Sequence, residues 1–272
     1  MIPFEKAFFC CPICRAVLKR EARSLVCGNR HSFDVAAKGY VNLLRAFGAS
    51  HGDNADMVAA RRRFLESGAY APMRRAVADA LTELSDGGVL LDSGCGEGYY
   101  TEEFAKIGKF SVYGIDISPK AAAFSAKKGC FGGVAVASAY DLPVPDSACD
   151  AITNIFSPFC LEEFHRVLKT GGLLIDVIPA ERHLYEMKAA IYDTPYENTV
   201  KPTELAGFTL VEKRAVTSEF FLNSSEAIRD LVMMTPYFYR TGKLGHERLA
   251  ALDSLSVTAS FYLLIYRKTR QR

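Results

Sequence analysis

No apolar run in this 272-residue chain reaches the roughly 18 residues that a membrane-spanning helix needs, and the first residues carry no apolar signal core. The expectation is therefore a cytoplasmic protein with no membrane partner. Internal repeats and low-complexity tracts are also missing, which excludes repeat arrays and leaves an ordinary globular composition. With 20 glycines and 11 prolines the chain is neither collagen-like nor disordered. Hydrophobic residues make up 49% and charged residues 24%. Eight cysteines in so long a chain do not make a disulfide miniprotein, and cytosolic cysteines are ordinarily free, metal-bound or catalytic. The formal charge of +2 conceals an asymmetry. Residues 1–75 carry 13 Lys and Arg against 6 Asp and Glu, whereas the rest carry 20 against 25. A basic front on an acidic body suits a polyanionic partner approached from one side.

Half of the cysteines fall within the first 27 residues. Cys11-Pro-Ile-Cys14 is a pair whose turn aims two thiolates at one point, and Cys27-x3-His31 supplies a second pair after a hairpin-length excursion. Two such pairs match a closed tetrahedral zinc site, and a segment of some 40 residues rarely holds a core unaided. Cys10 is the alternative to Cys11, with poorer spacing to Cys14. The closed ligand set leaves no position for water, so the metal would be structural rather than catalytic. Cys95, Cys130, Cys149 and Cys160 stand in apolar surroundings that suggest core positions.

A small, polar stretch at 46–54 reads as a linker, dividing a zinc-binding module (1–45) from a larger domain (46–272). Helical spacing follows at 56–66 and 72–84. From residue 89, short apolar runs (89–91, 112–117, 134–137, 151–155 and 173–178) alternate with helical stretches (99–107, 119–128, 161–169 and 181–192). That alternation predicts a mostly parallel sheet covered on both faces. Two longer strands, 208–222 and 257–268, around a helix at 224–233 predict an antiparallel pair at its end. The fold class is α/β and Rossmann-like, with a seven-stranded sheet.

The methyltransferase reading comes from Asp92-Ser-Gly94-Cys-Gly96-Glu97-Gly98, which follows a strand and opens a helix. A dinucleotide fold wants G-x-G-x-x-G; here the spacing is G-x-G-x-G behind an acid. Asp116, at the end of the next strand, can accept both hydroxyls of a ribose. Together these form the S-adenosylmethionine pattern of a Rossmann-like class I methyltransferase, with Glu97 also expected at the cofactor. After the third strand many such enzymes place an acid for the adenine amino group, and this chain has Ser138 there. The turn at 166–172 reads as structural. No side chain stands out as a general base. Phe156 or Phe159, beyond the fourth strand, could stack on an acceptor base. Arg61, Arg62 and Arg63 form a basic run, with Arg61 and Arg62 the candidates for RNA phosphates; at helical spacing the three cannot share one face, so at least one should pair internally.

The zinc pattern and the glycine loop in this order resemble the bacterial 23S rRNA (guanine-N1)-methyltransferases. The resemblance is carried by Cys-Pro-Ile-Cys at 11–14, Gly-Tyr-Val-Asn-Leu-Leu at 39–44, Ala60-Arg-Arg62 with Phe64-Leu65 and Gly68-x-Tyr70, the glycine loop, Arg182-His183-Leu184 and Met234-Thr-Pro236. It implies a zinc module that recognises 23S rRNA and a catalytic domain that methylates N1 of a guanine in a hairpin loop. It also implies that Tyr70 and His183 hold the cofactor, and it leaves a homodimer open. The competing classes are a small-molecule methyltransferase with a zinc-stabilised lid and a non-catalytic zinc- and RNA-binding protein. The charge asymmetry argues against the first, and the intact Asp92, Gly94, Gly96, Gly98 and Asp116 argue against the second.

Overall fold

The computed structural model describes residues 4–45, 53–129 and 131–270. Cys130 and most of the expected linker lie outside these described residues.

The chain opens with three short antiparallel strands, β1 (Leu18–Glu21), β2 (Ser24–Cys27) and β3 (Ser32–Asp34), followed by β4 (Tyr40–Asn42). Helices α1 (Ala55–Glu66) and α2 (Ala71–Leu84) come next. Asn54 caps α1 by accepting from the Asp56 and Met57 N–H groups, and Pro72 in the first turn of α2 needs no partner for its missing N–H. The alternating portion then runs β5 (Gly88–Ser93), α3 (Tyr99–Lys106), β6 (Phe110–Asp116), α4 (Pro119–Lys127), β7 (Gly133–Val136), β8 (Cys149–Ile155), α5 (Leu161–Val167) and β9 (Leu168–Pro179). After α6 (Tyr185–Ile191) come β10 (Phe208–Leu222), α7 (Ser225–Met233), α8 (Tyr237–Arg240), α9 (Lys243–Ala250) and β11 (Leu255–Lys268).

The large sheet has the order β10-β11-β9-β8-β5-β6-β7-β4, parallel from β9 to β4, with β10 and β11 antiparallel at the other end. It therefore has eight strands where seven were expected. The eighth is β4, three residues from the amino-terminal segment that extend the β7 edge. Its polar, short sequence gives no periodic signal. The expected helix at 181–192 begins only at Tyr185, because β9 runs on to Pro179 and Leu184 adopts φ +54°.

The amino-terminal segment shares its core with the sheet. Phe8 stacks on Tyr113 with ring centroids 3.9 Å apart, and Phe9 meets the same ring edge-on at 5.8 Å. Phe8, Phe9, Leu18 and Leu25 join one buried cluster with Leu91, Ile115 and Ile152. A segment too small to close a core of its own has borrowed one face of the sheet.

The carboxyl ends of β5, β6 and β8 converge beside α1 and α2. In open α/β sheets ligands bind at that edge, and the glycine loop lies there. Among the described residues no helix is long and apolar enough to cross a membrane.

Candidate functional site

The first centre is Cys11, Cys14, Cys27 and His31, whose candidate ligand atoms all lie within 4.8 Å of one another. Cys11 Sγ and Cys27 Sγ are each 3.5 Å from His31 Nδ1, and Cys14 Sγ is 3.7 Å from Cys27 Sγ. A tetrahedral zinc with bonds of about 2.3 Å to sulfur and 2.0–2.1 Å to nitrogen has S···S edges of about 3.8 Å and S···N edges of about 3.5 Å. The donor set therefore fits the ion in both chemistry and spacing. The Cys14 thiol is lowered to about 6, chiefly by the Ala16 backbone N–H, which favours the thiolate that binds metal. Cys10 is buried elsewhere, its N–H donating to Pro143 O.

The second centre is built on the glycine loop. Asp92 is buried beneath it and accepts from Thr101 Oγ1 at 2.6 Å and Thr153 Oγ1 at 2.8 Å. Burial pushes its carboxyl up to about 6. A Cβ at Gly94 would lie 2.3 Å from Ser157, so only glycine lets the β8–α5 turn close against the loop. Gly96, at φ +55°, points its missing Cβ into open space, a cradle that any side chain would fill. Gly98, the left-handed N-cap of α3, backs onto Ser125.

Asp116 Oδ2 accepts from Gly96 N at 2.9 Å, and Oδ1 accepts from Ser118 N at 2.7 Å. Each oxygen keeps a lone pair for a further donor, as binding of two ribose hydroxyls requires. Glu97 is 5% exposed, with its carboxyl raised by burial. It lines a cavity of about 260 Å³ together with Arg62, Tyr99 and Phe124.

Across the site stands an aromatic wall. Tyr70 is the N-cap residue of α2 but makes no capping bond. Its hydroxyl lies 3.5 Å from His183 Nε2, and its ring meets Phe261 edge-on at 5.0 Å. His183 packs 4.8 Å from Phe261, and burial lowers it to about 3, so it is neutral. Its Nδ1 is buried with no partner. Phe156 completes the wall, 6.1 Å from His183 and 5.6 Å from Phe261. It combines a left-handed backbone (φ +53°) with a ring that is 46% exposed. Phe159 instead packs edge-on against Phe164 in the core.

The arginine run is divided as helical spacing requires. Arg61 pairs with Asp53 and donates to Met234 O, beside Glu97 and Asp116. Arg63 grips buried Asp230 through two bonds of 2.6 and 2.7 Å. Arg62 keeps an exposed pairing with Glu66. The expectation that Arg61 and Arg62 both face RNA thus meets an Arg61 already engaged inside the protein, its partners Asp53 and Met234 being invisible to helical periodicity. Sequence reasoning also passed over Phe261, from the last strand, and Ser157, whose only signal was its place in the turn after the fourth expected strand.

Asp92 makes a stability prediction. Its folded pKa is raised from 3.8 to about 6, so its contribution is present below pH 4 and is lost as pH rises through 6. Asp92→Asn carries no such loss. Its destabilisation relative to wild type should be smaller at pH 8 than at pH 4.5, by about 2 kcal/mol. Chemical denaturation at the two pH values checks this, and an equal or larger penalty at pH 8 would contradict it.

Comparison with known proteins agrees with both centres. The zinc-ribbon model described as "RlmA, N-terminal" matches residues 9–46, and a "Methyltransferase domain" model matches 91–176. A Bacillus subtilis (strain 168) protein with the provisional name 23S rRNA (guanine-N(1)-)-methyltransferase YxjB is 31% identical over 96% of this chain and 98% of its own. The 23S rRNA (guanine(748)-N(1))-methyltransferase of Streptomyces fradiae is 37% identical over 66% of each chain. With a relative matched from end to end, this chain belongs to the 23S rRNA (guanine-N1)-methyltransferase family.

Proposed function

We propose that this protein transfers a methyl group from S-adenosylmethionine to N1 of a guanine in a hairpin loop of 23S rRNA. The observation that carries the proposal is the pairing of a Cys3His cluster spaced for a metal, beside the three-stranded sheet, with a glycine loop closed on Asp116 at the edge of the eight-stranded sheet, in a chain of this family. The proposed division of labour is a zinc module at 1–45 that meets the RNA and a catalytic domain at 46–272.

When bound, S-adenosylmethionine supplies a methyl already activated on a sulfonium, so the protein's work is mainly alignment. Asp116 would hold the ribose hydroxyls, Gly94, Gly96 and Gly98 would bring the backbone close, and Tyr70 and His183 would close one side. Glu97 and Asp92 would support the loop. The neutral state of His183 supports a packing role, since an imidazole lowered to about 3 is a weak base. As the methyl leaves sulfur for N1, the proton that guanine N1 bears at neutral pH must pass to solvent, and because N1 is hidden in a base pair the target must be unpaired or flipped out. The half-exposed ring of Phe156 supports stacking on that base. Arg62 is the member of the run whose exposure supports a phosphate contact.

Incubation with methyl-labelled S-adenosylmethionine tests the proposal. Label should enter unmodified 23S rRNA; label entering a metabolite pool instead would favour the small-molecule reading.

A further inference from the structure

The amino-terminal segment holds the loop that follows β7 through several hydrogen bonds. Residues 138–144 leave the carboxyl end of β7, the strand beside β6 and its Asp116. The loop starts on the backbone of that residue, Ala137 N donating to Asp116 O at 3.1 Å, so a nucleoside held by Asp116 would have this loop for a neighbour. At the loop's start Ser138 takes the place at which many such enzymes carry an acid for the adenine amino group, and its Oγ accepts from Tyr140 N.

The grip begins at the metal centre. Arg15 directly follows ligand Cys14, adopts φ +60°, and donates its backbone N–H to Cys11 O at 2.8 Å. The turn that carries two ligands therefore also sets the direction of this side chain. Arg15 Nη1 donates to Leu142 O at 2.7 Å, and Nη2 pairs with Asp141. Cys10 N donates to Pro143 O at 2.8 Å, so the neighbouring backbone is held as well. From the far side, Leu142 N donates to Glu163 at 2.7 Å, and Arg166 reaches the Leu142 and Val144 carbonyls. The loop is clamped between α5 and the zinc turn, and Asp141 pairs with Arg15 of that turn and, at 3.7 Å, with Arg45.

We infer that Arg15 and Asp141 are positioning residues for the adenosine half of S-adenosylmethionine, acting through the 138–141 loop, so that the zinc turn braces the cofactor site. The inference rests on the proposed placement of the cofactor at Asp116. A lone exposed ion pair would contribute little. Here the same guanidinium also holds a backbone carbonyl, and its own backbone is fixed by the metal turn. Removing the brace should let the loop sample other positions and weaken the cofactor by a coupling in the ordinary range.

The test is calorimetric titration of the zinc-loaded full chain with S-adenosylhomocysteine, with zinc content and thermal midpoint measured on every sample. Arg15→Met should retain its zinc and bind about fivefold or more weakly. Asp141→Asn should do the same, and the double variant should bind more tightly than the two single losses added together predict, because both singles break the shared Arg15–Asp141 contact. Asp141 is not a metal ligand, so Asp141→Asn carries the test if Arg15→Met loses metal. A pair that only docks the module would lower the thermal midpoint and leave affinity alone. Affinity within twofold of wild type in the zinc-loaded variants, with Asp116→Ala clearly weakened, would overturn the inference. Wild-type affinity in Asp116→Ala as well would overturn the cofactor placement, and the inference with it.

Discussion

Cys14→Ser should yield a chain without zinc whose first 45 residues no longer hold their fold. Structural zinc sites contribute on the order of 10 kcal/mol of binding free energy that is also folding free energy. Cys14 is a ligand whose thiol is already lowered to about 6, so serine removes a donor poised as the thiolate that binds metal. Damage should spread beyond the module, because Phe8 and Phe9 pack on Tyr113 and β4 extends the β7 edge. Metal analysis and proteolysis check this. Full zinc occupancy in the variant, or a protected amino-terminal segment without metal, would count against the four-ligand assignment.

Asp116→Ala should weaken S-adenosylmethionine by about 1.5–3 kcal/mol, the usual size for losing hydrogen bonds to a charged group, or roughly ten- to over a hundredfold in affinity. The upper end is expected. The same carboxylate accepts from Gly96 N and Ser118 N, so its removal also frees the glycine loop. Gly96→Val should abolish binding, since a β-branched residue resists φ +55° and its side chain would fill the cradle. Calorimetry on both variants decides the point, and wild-type affinity in either contradicts the site.

What the sequence disclosed had short range. The metal ligands come in pairs three and four positions apart, and the glycine loop, its preceding strand and its following helix are consecutive, so local spacing carried them. Alternating apolar runs likewise announced the parallel strands. The contacts that finish the site span most of the chain and leave no local mark. Phe261 reaches His183 from the last strand, Asp230 takes Arg63 from the basic run, and Tyr113 receives Phe8 from across the amino-terminal segment. β4 was missed because three residues at a sheet edge have no period. Ser138 broke the expected adenine pattern, and the nearby acid, Asp141, turns to Arg15.

The central claim is that this chain methylates guanine N1 in 23S rRNA, and mapping the modified nucleotide tests it most directly. A methyl on N1 blocks base pairing and stops reverse transcription. Primer extension on 23S rRNA from a deletion strain should read through a hairpin-loop guanine at which the complemented strain stops. Complementation with Asp116→Ala at the same expression level should leave the read-through largely unchanged. Identical extension profiles with and without the gene, or a gene-dependent stop at a base other than guanine, would contradict the account.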